Sequence, residues 1–364
     1  MAKMRDIKKI DKAMGFREQS REGMDWYTVD APGFVLDGLY WRKPGDPFRR
    51  IPLDRSVSDG VDVLAGHTAG VMARFRTDAS EIRVHAEFEE CVRMDHMPCT
   101  GIMGFDLYEG SHAAKFYRKT TRFDSSCKAY TVTIFGPDAE KKLREFTLHF
   151  PLYAHPVAVE IGLSAGARVL SPSPWKDPRP VVVYGTSIQQ GGCASRPGMC
   201  HTNIMSRMLD RPFINLGFSG SGKGEPAMAE IMSEIADPAM FVLDYDANAG
   251  VEGLRKTLSG FIDILRAKHP ETPILLVSHL PYATEFAVPQ EFTKWRYDLT
   301  SIHMEELRKR REAGDKNIHF LDGSTLYGPE PSECTVDGGH ATDLGFFNVA
   351  HRMAPVIERL LTQA

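Results

Sequence analysis

The chain has 364 residues, 42% hydrophobic and 25% charged, so it can bury a sizeable core and exceeds the size of a single small module. Its formal net charge of -4, from 44 basic and 48 acidic residues, excludes a strongly basic protein that attracts nucleic acid or anionic membranes through its overall field. This composition predicts a globular protein of one large or two medium domains.

The amino-terminal residues 1–9 are charged and are not followed by an apolar segment, and nowhere does the chain approach about 18 uninterrupted apolar residues. We therefore expect a cytoplasmic protein without contact to a membrane, unless an export signal has been trimmed from the chain. The oligomeric state is left open.

The six cysteines show no CxxC spacing and no other spacing typical of zinc ligands. We expect reduced thiols and no metal, although Cys91 with Cys99, or Cys193 with Cys200, could bridge a loop in an exported protein. The remaining two cysteines are Cys127 and Cys334.

Residues 20–165 form short runs that alternate apolar and polar side chains, as half-buried antiparallel strands do. Turn residues separate these runs at intervals of about 8 to 15 residues, a spacing typical of a sandwich or a jelly roll. The predicted strands are 71–76, 82–88, 105–107, 115–117, 130–135, 146–150 and 157–161. Residues 1–170 are therefore predicted to form an all-β sandwich domain.

Residues 171–180 contain four prolines, which favours a stiff, extended linker. Beyond it, short apolar strands alternate with helical segments up to residue 364. The predicted strands are 181–184, 213–216, 240–243, 274–278 and 318–321, and the predicted helices are 202–209, 225–234, 251–268, 290–311 and 342–361. This alternation predicts a three-layer α/β/α domain over residues 181–364, with ligands at the carboxyl ends of its strands.

The first strand of this domain leads directly into Gly185-Thr186-Ser187-Ile188, which places Ser187 at the carboxyl edge of the sheet. Ser187 is a candidate nucleophile. The α/β-hydrolase elbow is not matched, because Gln189 stands where its second glycine would be. Taken alone, the segment fits a turn serine that caps backbone amides better than it fits a nucleophile.

The segment Asp337-Gly338-Gly339-His340 precedes the last helix. A serine nucleophile needs a base to accept its proton, and an imidazole base needs a carboxylate to fix its tautomer. Asp337 and His340 can supply both, but such pairs also arise by chance, so their value depends on their position relative to the other motifs.

Two further loops follow strands of the predicted sheet. The glycine-rich segment 215–222 lets backbone amides approach a developing oxyanion, and Asn248 offers a side-chain amide to the same oxygen. Each feature alone is an ordinary turn or cap. Together, four strand-end loops carry Ser, Gly, Asn and Asp-x-x-His in that order along the chain.

This order resembles the four sequence blocks of the SGNH, or GDSL-like, hydrolase family over residues 180–361. The resemblance implies a flavodoxin-like sheet, a triad of Ser187, Asp337 and His340, and an oxyanion hole formed by the Ser187 amide, Gly220 and Asn248. Gly217 is a rival to Gly220. Two positions depart from the family pattern: Thr186 replaces its aspartate, and Ala341 replaces the proline common after the histidine.

The pentapeptide Gly104-Phe105-Asp106-Leu107-Tyr108 is similar to the GxDLY motif of the β-sandwich domain that precedes some SGNH esterases. We expect it to serve packing or a domain interface rather than catalysis.

The family resemblance implies a serine esterase that works through an acyl-enzyme. Because no apolar lid is evident, we expect short, acetyl-type acyl groups on a carbohydrate or other small polar alcohol, and no cofactor. Gln189 and Arg196 are candidate substrate contacts, although Arg196 could equally hold its own loop. The alternatives are an acyltransferase that uses the same site and a carbohydrate-binding protein with a vestigial triad.

Overall fold

The computed structural model describes residues 11, 15–137, 140–287 and 289–363. Antiparallel strands dominate the first half, as the alternating sequence pattern predicts. They are β1 (Met24–Thr28), β2 (Val35–Asp37), β3 (Met72–Thr77), β4 (Ile82–Phe88), β5 (Asp106–Glu109), β6 (Phe116–Thr120), β7 (Ala129–Phe135), β8 (Arg144–His149), β9 (Pro156–Ser164) and β10 (Val169–Leu170). Two helices too short to give a periodic sequence signal, α1 (Asp59–Leu64) and α2 (Cys99–Ile102), lie between them.

These strands form two sheets. One has the order β1-β9-β4-β7, and the other has the order β10-β3-β8-β5-β6, with β2 beside β3. Apolar side chains from both sheets, among them Val84 and Ile161 of the first and Phe75 and Phe146 of the second, belong to one buried cluster. The predicted β-sandwich is confirmed.

The second half alternates strands and helices. Its strands are β11 (Val181–Gly185), β12 (Phe213–Gly217), β13 (Met240–Asp244), β14 (Ile274–Val277) and β15 (Ile318–Leu321). Its helices are α3 (Ser187–Gln190), α4 (His201–Leu209), α5 (Pro226–Ser233), α6 (Asp246–Lys268), α7 (Thr284–Ala287), α8 (Pro289–Glu312) and α9 (Asp343–Gln363). The strands are parallel in the order β12-β11-β13-β14-β15, which is the flavodoxin-like arrangement.

Strand β11 shows why this sheet has helices on both faces. Val181 and Val183 pack into one buried cluster, whereas Val182 and Tyr184 pack into a second cluster on the opposite face. A strand covered on both faces needs a continuous apolar run rather than alternation. The predicted three-layer α/β/α architecture is confirmed.

The two halves share their buried core. The cluster that fills the sandwich also includes Val181 and Val183 of the parallel sheet. Within the proline-rich segment 171–180, the Ser173 carbonyl accepts a hydrogen bond from Arg74 at 2.9 Å, and the Trp175 ring lies 3.9 Å from the Arg74 guanidinium carbon. The segment therefore packs against the sandwich, and the division into two domains stays a prediction.

In the described part of the chain, no helix combines the length and the apolar character needed to cross a bilayer. All six cysteines are free thiols.

Candidate active site

Ser187 is the first residue of helix α3, directly after strand β11. Thr186 caps this helix: its hydroxyl accepts a hydrogen bond from the Ile188 amide at 3.2 Å, and its own amide donates to Gln189 Oε1 at 2.8 Å. The first amides of a helix have no partner within it, so the Ser187 N–H is available to a ligand. Thr186, which replaces the aspartate of the family pattern, thus fixes the turn that presents Ser187.

Ser187, His340 and Asp337 form a hydrogen-bonded chain. His340 Nε2 lies 2.9 Å from Ser187 Oγ, and His340 Nδ1 lies 2.7 Å from Asp337 Oδ2. With the Nδ1 proton donated to Asp337, Nε2 carries the lone pair that can accept the serine proton. The two groups from one end of the chain therefore meet the predicted nucleophile in the geometry of a catalytic triad.

The surroundings of Asp337 keep it ionised. Burial by itself would raise the pKa of its carboxyl group, but hydrogen bonds from the His340 amide and ring and from the Gly339 amide outweigh burial and lower the pKa to about 2. Asp337 is therefore an anion at neutral pH, and it can stabilise an imidazolium formed on His340.

Asn248 lies in the first turn of α6 and lines the same cleft as Ser187 and His340. Its Nδ2 donates to the Phe218 carbonyl at 3.3 Å, which leaves its second amide hydrogen for a substrate oxygen. The sequence predicts a helix from residue 251, whereas the observed helix begins at Asp246. Gly250, at φ 64°, interrupts the helix, and the turn that carries Asn248 lies before this break.

The glycine-rich loop distinguishes the two candidate glycines. A Cβ on Gly217 would lie 2.2 Å from the Gln190 nitrogen, and its amide already donates to Asn215 Oδ1 at 2.9 Å. Gly217 is therefore needed for close packing and has no amide proton left for a substrate. Gly220 is exposed, and no described residue accepts from its amide, but it is not among the residues that line the cleft. Its role in the oxyanion hole stays a prediction.

The cleft beside Ser187 has a volume of about 350 Å³, towards the small end of ligand sites. Its walls are the turn around Ser187, the Asn248 turn, the Asp337–His340 loop and the segment that carries Tyr282 and Thr284.

The structure places Gln189 away from the cleft, contrary to the prediction that it contacts substrate. Its side chain is buried, Oε1 accepts from Thr186, and Nε2 donates to Asp244 Oδ2 at 2.6 Å. The spacing Thr186-x-x-Gln189 is that of a capping box, a local signal from which this role could have been predicted.

Arg196 is likewise held away from the cleft. Its Nη1 donates to Asp106 Oδ2 at 2.5 Å and to the Tyr108 hydroxyl at 2.7 Å, and its guanidinium carbon lies 4.0 Å from the centroid of the Tyr117 ring. Asp106 also accepts from the Gly198 amide at 3.0 Å. The GxDLY motif therefore fastens the loop after the nucleophile to the sandwich, so its interface role is supported and the proposed substrate contact of Arg196 is not.

Three further residues lie at the active site, and two of them, Tyr153 and His96, come from segments that gave no sequence signal. The Tyr153 hydroxyl donates to the Ser187 carbonyl at 3.2 Å, and the His96 ring centroid lies 5.5 Å from that of His340. Cys193 is buried nearby, and burial together with the Asp337 carboxylate raises the pKa of its thiol to about 12. Cys193 is therefore a neutral thiol at pH 7 rather than a rival nucleophile.

Two buried acidic residues lie beneath the Asn248 turn. Burial and the neighbouring Asp246 raise the pKa of Asp244 well above its ordinary value. Burial also acts to raise the pKa of Asp246, but hydrogen bonds from His279 and His303 outweigh it and lower that pKa. The charge at this end of the sheet is therefore concentrated on Asp246, the first residue of α6.

Family comparisons cover both halves of the chain. Residues 178–358 match the model of the GDSL-like lipase/acylhydrolase family, and residues 24–169 match the GxDLY model, described as the N-terminus of Esterase_SGNH_hydro-type proteins. No curated protein matches the chain.

Solved structures share the architecture over nearly the whole chain. A Bacteroides ovatus protein described as a GDSL-like lipase is 27% identical, with a TM-score of 0.85 over 93% of this chain and 98% of its own. The salicylyl-acyltransferase SsfX3 from a tetracycline biosynthetic pathway (19% identity, TM-score 0.71) and a family two carbohydrate esterase from Cellvibrio japonicus (12% identity, TM-score 0.60) each cover the same shares. At these identities, the last two show the fold alone. The chain belongs to the SGNH, or GDSL-like, family of serine hydrolases that act on ester bonds, and it carries the GxDLY-type N-terminus of that group.

Proposed function

We propose that this protein removes short acyl groups, acetyl above all, from esters of a carbohydrate or another small polar alcohol. The observation that carries the proposal is the continuous chain of hydrogen bonds from Ser187 through His340 to Asp337 at the wall of a small cleft. The carbohydrate esterase with the same fold is consistent with this substrate class.

The reaction proceeds through an acyl-enzyme. His340 Nε2 accepts the Ser187 proton while Ser187 Oγ attacks the ester carbonyl, and the Ser187 and Gly220 amides with Asn248 Nδ2 donate to the oxyanion. His340 then donates its proton to the leaving alcohol. Water, deprotonated by His340, attacks the acyl-enzyme, and Ser187 recovers its proton when the acid leaves.

Cleft size and lining support a small substrate. A volume of about 350 Å³ leaves little room for a long acyl chain. Tyr282, which lines the cleft, is an aromatic side chain of the kind on which sugar rings pack.

The test compares the wild-type protein with Ser187→Ala on p-nitrophenyl esters from acetate to octanoate and on acetylated sugars. We expect hydrolysis to be fastest with acetate, to fall with chain length, and to be lost in the variant. Undiminished hydrolysis by Ser187→Ala would sink the triad assignment, and rates that rise with chain length would contradict the short-acyl proposal.

Acyl transfer to an alcohol is a second candidate. His96, from the first half of the chain, lies beside His340, with ring centroids 5.5 Å apart, so the first half can contribute to an acceptor site. Product analysis with an acyl donor and candidate alcohols distinguishes the two reactions, because transfer yields a new ester and hydrolysis yields free acid. Labelling of Ser187 by a fluorophosphonate would contradict the third reading, a binding protein with a vestigial triad.

A further inference from the structure

Two side chains outside the triad join His340 in a cluster of metal-binding groups. These are His96, on the loop between β4 and α2, and Cys193, on the turn after α3. One ligand atom from each of His96, Cys193 and His340 lies within 4.8 Å of the other two. Two imidazole nitrogens and a sulfur are a donor set that Zn²⁺ prefers.

We propose that His96, Cys193 and His340 form an inhibitory binding site for Zn²⁺ or a similar borderline-soft divalent cation. Zinc bonds of about 2.0 Å to nitrogen and about 2.3 Å to sulfur place tetrahedral ligand atoms roughly 3.5 Å apart. The three atoms must therefore approach one another by at most about 1.3 Å. His96 can supply much of this movement, because it is only half-buried and its ring contacts the exposed Asp95 carboxylate at 3.2 Å.

The site of metal binding on His340 follows from its partners. Nδ1 is engaged by Asp337, so Nε2 is the nitrogen that remains for a metal. A carboxylate on the other ring nitrogen is the usual support of a zinc-bound histidine, because it fixes the tautomer and raises the basicity of the ligand. Asp337, which prepares His340 to act as a base, equally prepares it to act as a metal ligand.

Metal binding and catalysis compete for one lone pair. The Nε2 lone pair that accepts the Ser187 proton would be donated to the cation, and the Cys193 thiol would release its proton to solvent as its sulfur coordinates. The bound enzyme then has no base for the attack of Ser187. The inhibition rests on the proposed esterase function, whereas binding of the metal does not.

Binding is tested in Ser187→Ala, which separates it from turnover. We expect one Co²⁺ per chain, with a thiolate-to-cobalt absorption band in the near ultraviolet, and displacement of Co²⁺ by Zn²⁺. Adding Cys193→Ser should abolish the band, and adding His96→Asn should weaken Zn²⁺ binding at least tenfold by calorimetry. Cys127→Ser, which removes an exposed cysteine outside the cluster, is the matched control and should bind as before.

Inhibition is measured with p-nitrophenyl acetate, each protein being scored against its own uninhibited rate. Zn²⁺ should inhibit the wild type and EDTA should restore the rate, whereas His96→Asn should need at least tenfold more Zn²⁺. Mg²⁺ at the same concentrations should have no effect, because it prefers oxygen ligands.

The outcomes separate the two proposals. A cobalt spectrum without a thiolate band, or Zn²⁺ binding unchanged by both His96→Asn and Cys193→Ser, overturns the metal site. Metal binding as expected in a protein that hydrolyses no ester supports the site and overturns the esterase. Circular dichroism shows whether the protein still folds when buried Cys193 is substituted. If it does not, the variant at half-buried His96 still tests the metal site.

Discussion

Ser187, His340 and Asp337 each owe their geometry to a different local feature. Ser187 is held by the cap of a four-residue helix, His340 by its carboxylate partner, and Asp337 by two amides of its own loop. None of these constraints requires a distant residue. Each local segment is therefore simple, and only the order of the segments along the chain points to their shared role.

Asn248→Ala tests the oxyanion hole. Removing the side-chain amide should lower kcat by about 10² to 10³, because that donor stabilises charge that develops only in the transition state. Steady-state kinetics on p-nitrophenyl acetate measure the change, and KM should move much less than kcat. A variant within twofold of the wild-type kcat would remove Asn248 from the mechanism.

At the scale of elements, the loops of the sheet edge are fixed by contacts that run between elements. Arg196, after α3, reaches Asp106 on β5, and Gln189 in α3 reaches Asp244 at the end of β13. These polar contacts are buried or half-buried, so losing them should destabilise the loops that carry the active site.

Arg196→Met tests the connection between the nucleophile loop and the sandwich. Asp106 is fully buried, and burial raises the pKa of its carboxyl even though Arg196 favours the anion. Losing Arg196 leaves this carboxyl without its ion-pair partner, which should lower the free energy of unfolding by about 3 kcal/mol. Urea unfolding of the variant and the wild type measures this difference in the free energy of unfolding.

The matched control for this prediction is Arg308→Met. Arg308 and its partner Glu312 are both largely exposed on helix α8, so removing the pair should change stability little. Equal losses of stability in the two variants would show that the Arg196–Asp106 ion pair stabilises the protein no more than an exposed pair does.

Asp244→Asn tests the buried acidic pair. Because the folded-state pKa of Asp244 is raised, its contribution to stability is present below its ordinary pKa near 4 and is lost as the pH rises through the folded value. An asparagine keeps an oxygen for Gln189 Nε2 but does not titrate. The variant should therefore gain stability relative to the wild type between pH 5 and pH 8, as measured by urea unfolding at both pH values. A difference that does not change with pH would contradict the raised pKa.

At the scale of the whole molecule, the first half of the chain supports the parallel sheet of the second half. Arg50 is fully buried, and its guanidinium donates to the carbonyls of Asn215 at 3.0 Å and Gly217 at 2.7 Å, the end of β12 that leads into the glycine-rich loop. Burial lowers the pKa of Arg50 to about 9, so it is still a cation at neutral pH. The sandwich thus stabilises the loop that is predicted to hold an oxyanion donor.

Separating the halves tests this dependence. Residues 178–364 expressed alone should aggregate or bind the dye ANS, because the sheet face that includes Val181 and Val183 loses the apolar residues of the sandwich that share its cluster. The full chain should unfold in one cooperative transition. A soluble, fully active second half would show that the sandwich is dispensable.

The sequence by itself determined the architecture of each half and the four strand-end loops, because strand and helix periodicity and the caps are local properties of the chain. It also placed Ser187 at the carboxyl edge of the sheet, because parallel strands bring those ends together, and the family resemblance implied its triad with Asp337 and His340. Only the tertiary structure decided that Arg196 ties its loop to the sandwich, and that His96 and Tyr153 lie at the site. These contacts join segments far apart in the chain through packing, and no local pattern encodes them.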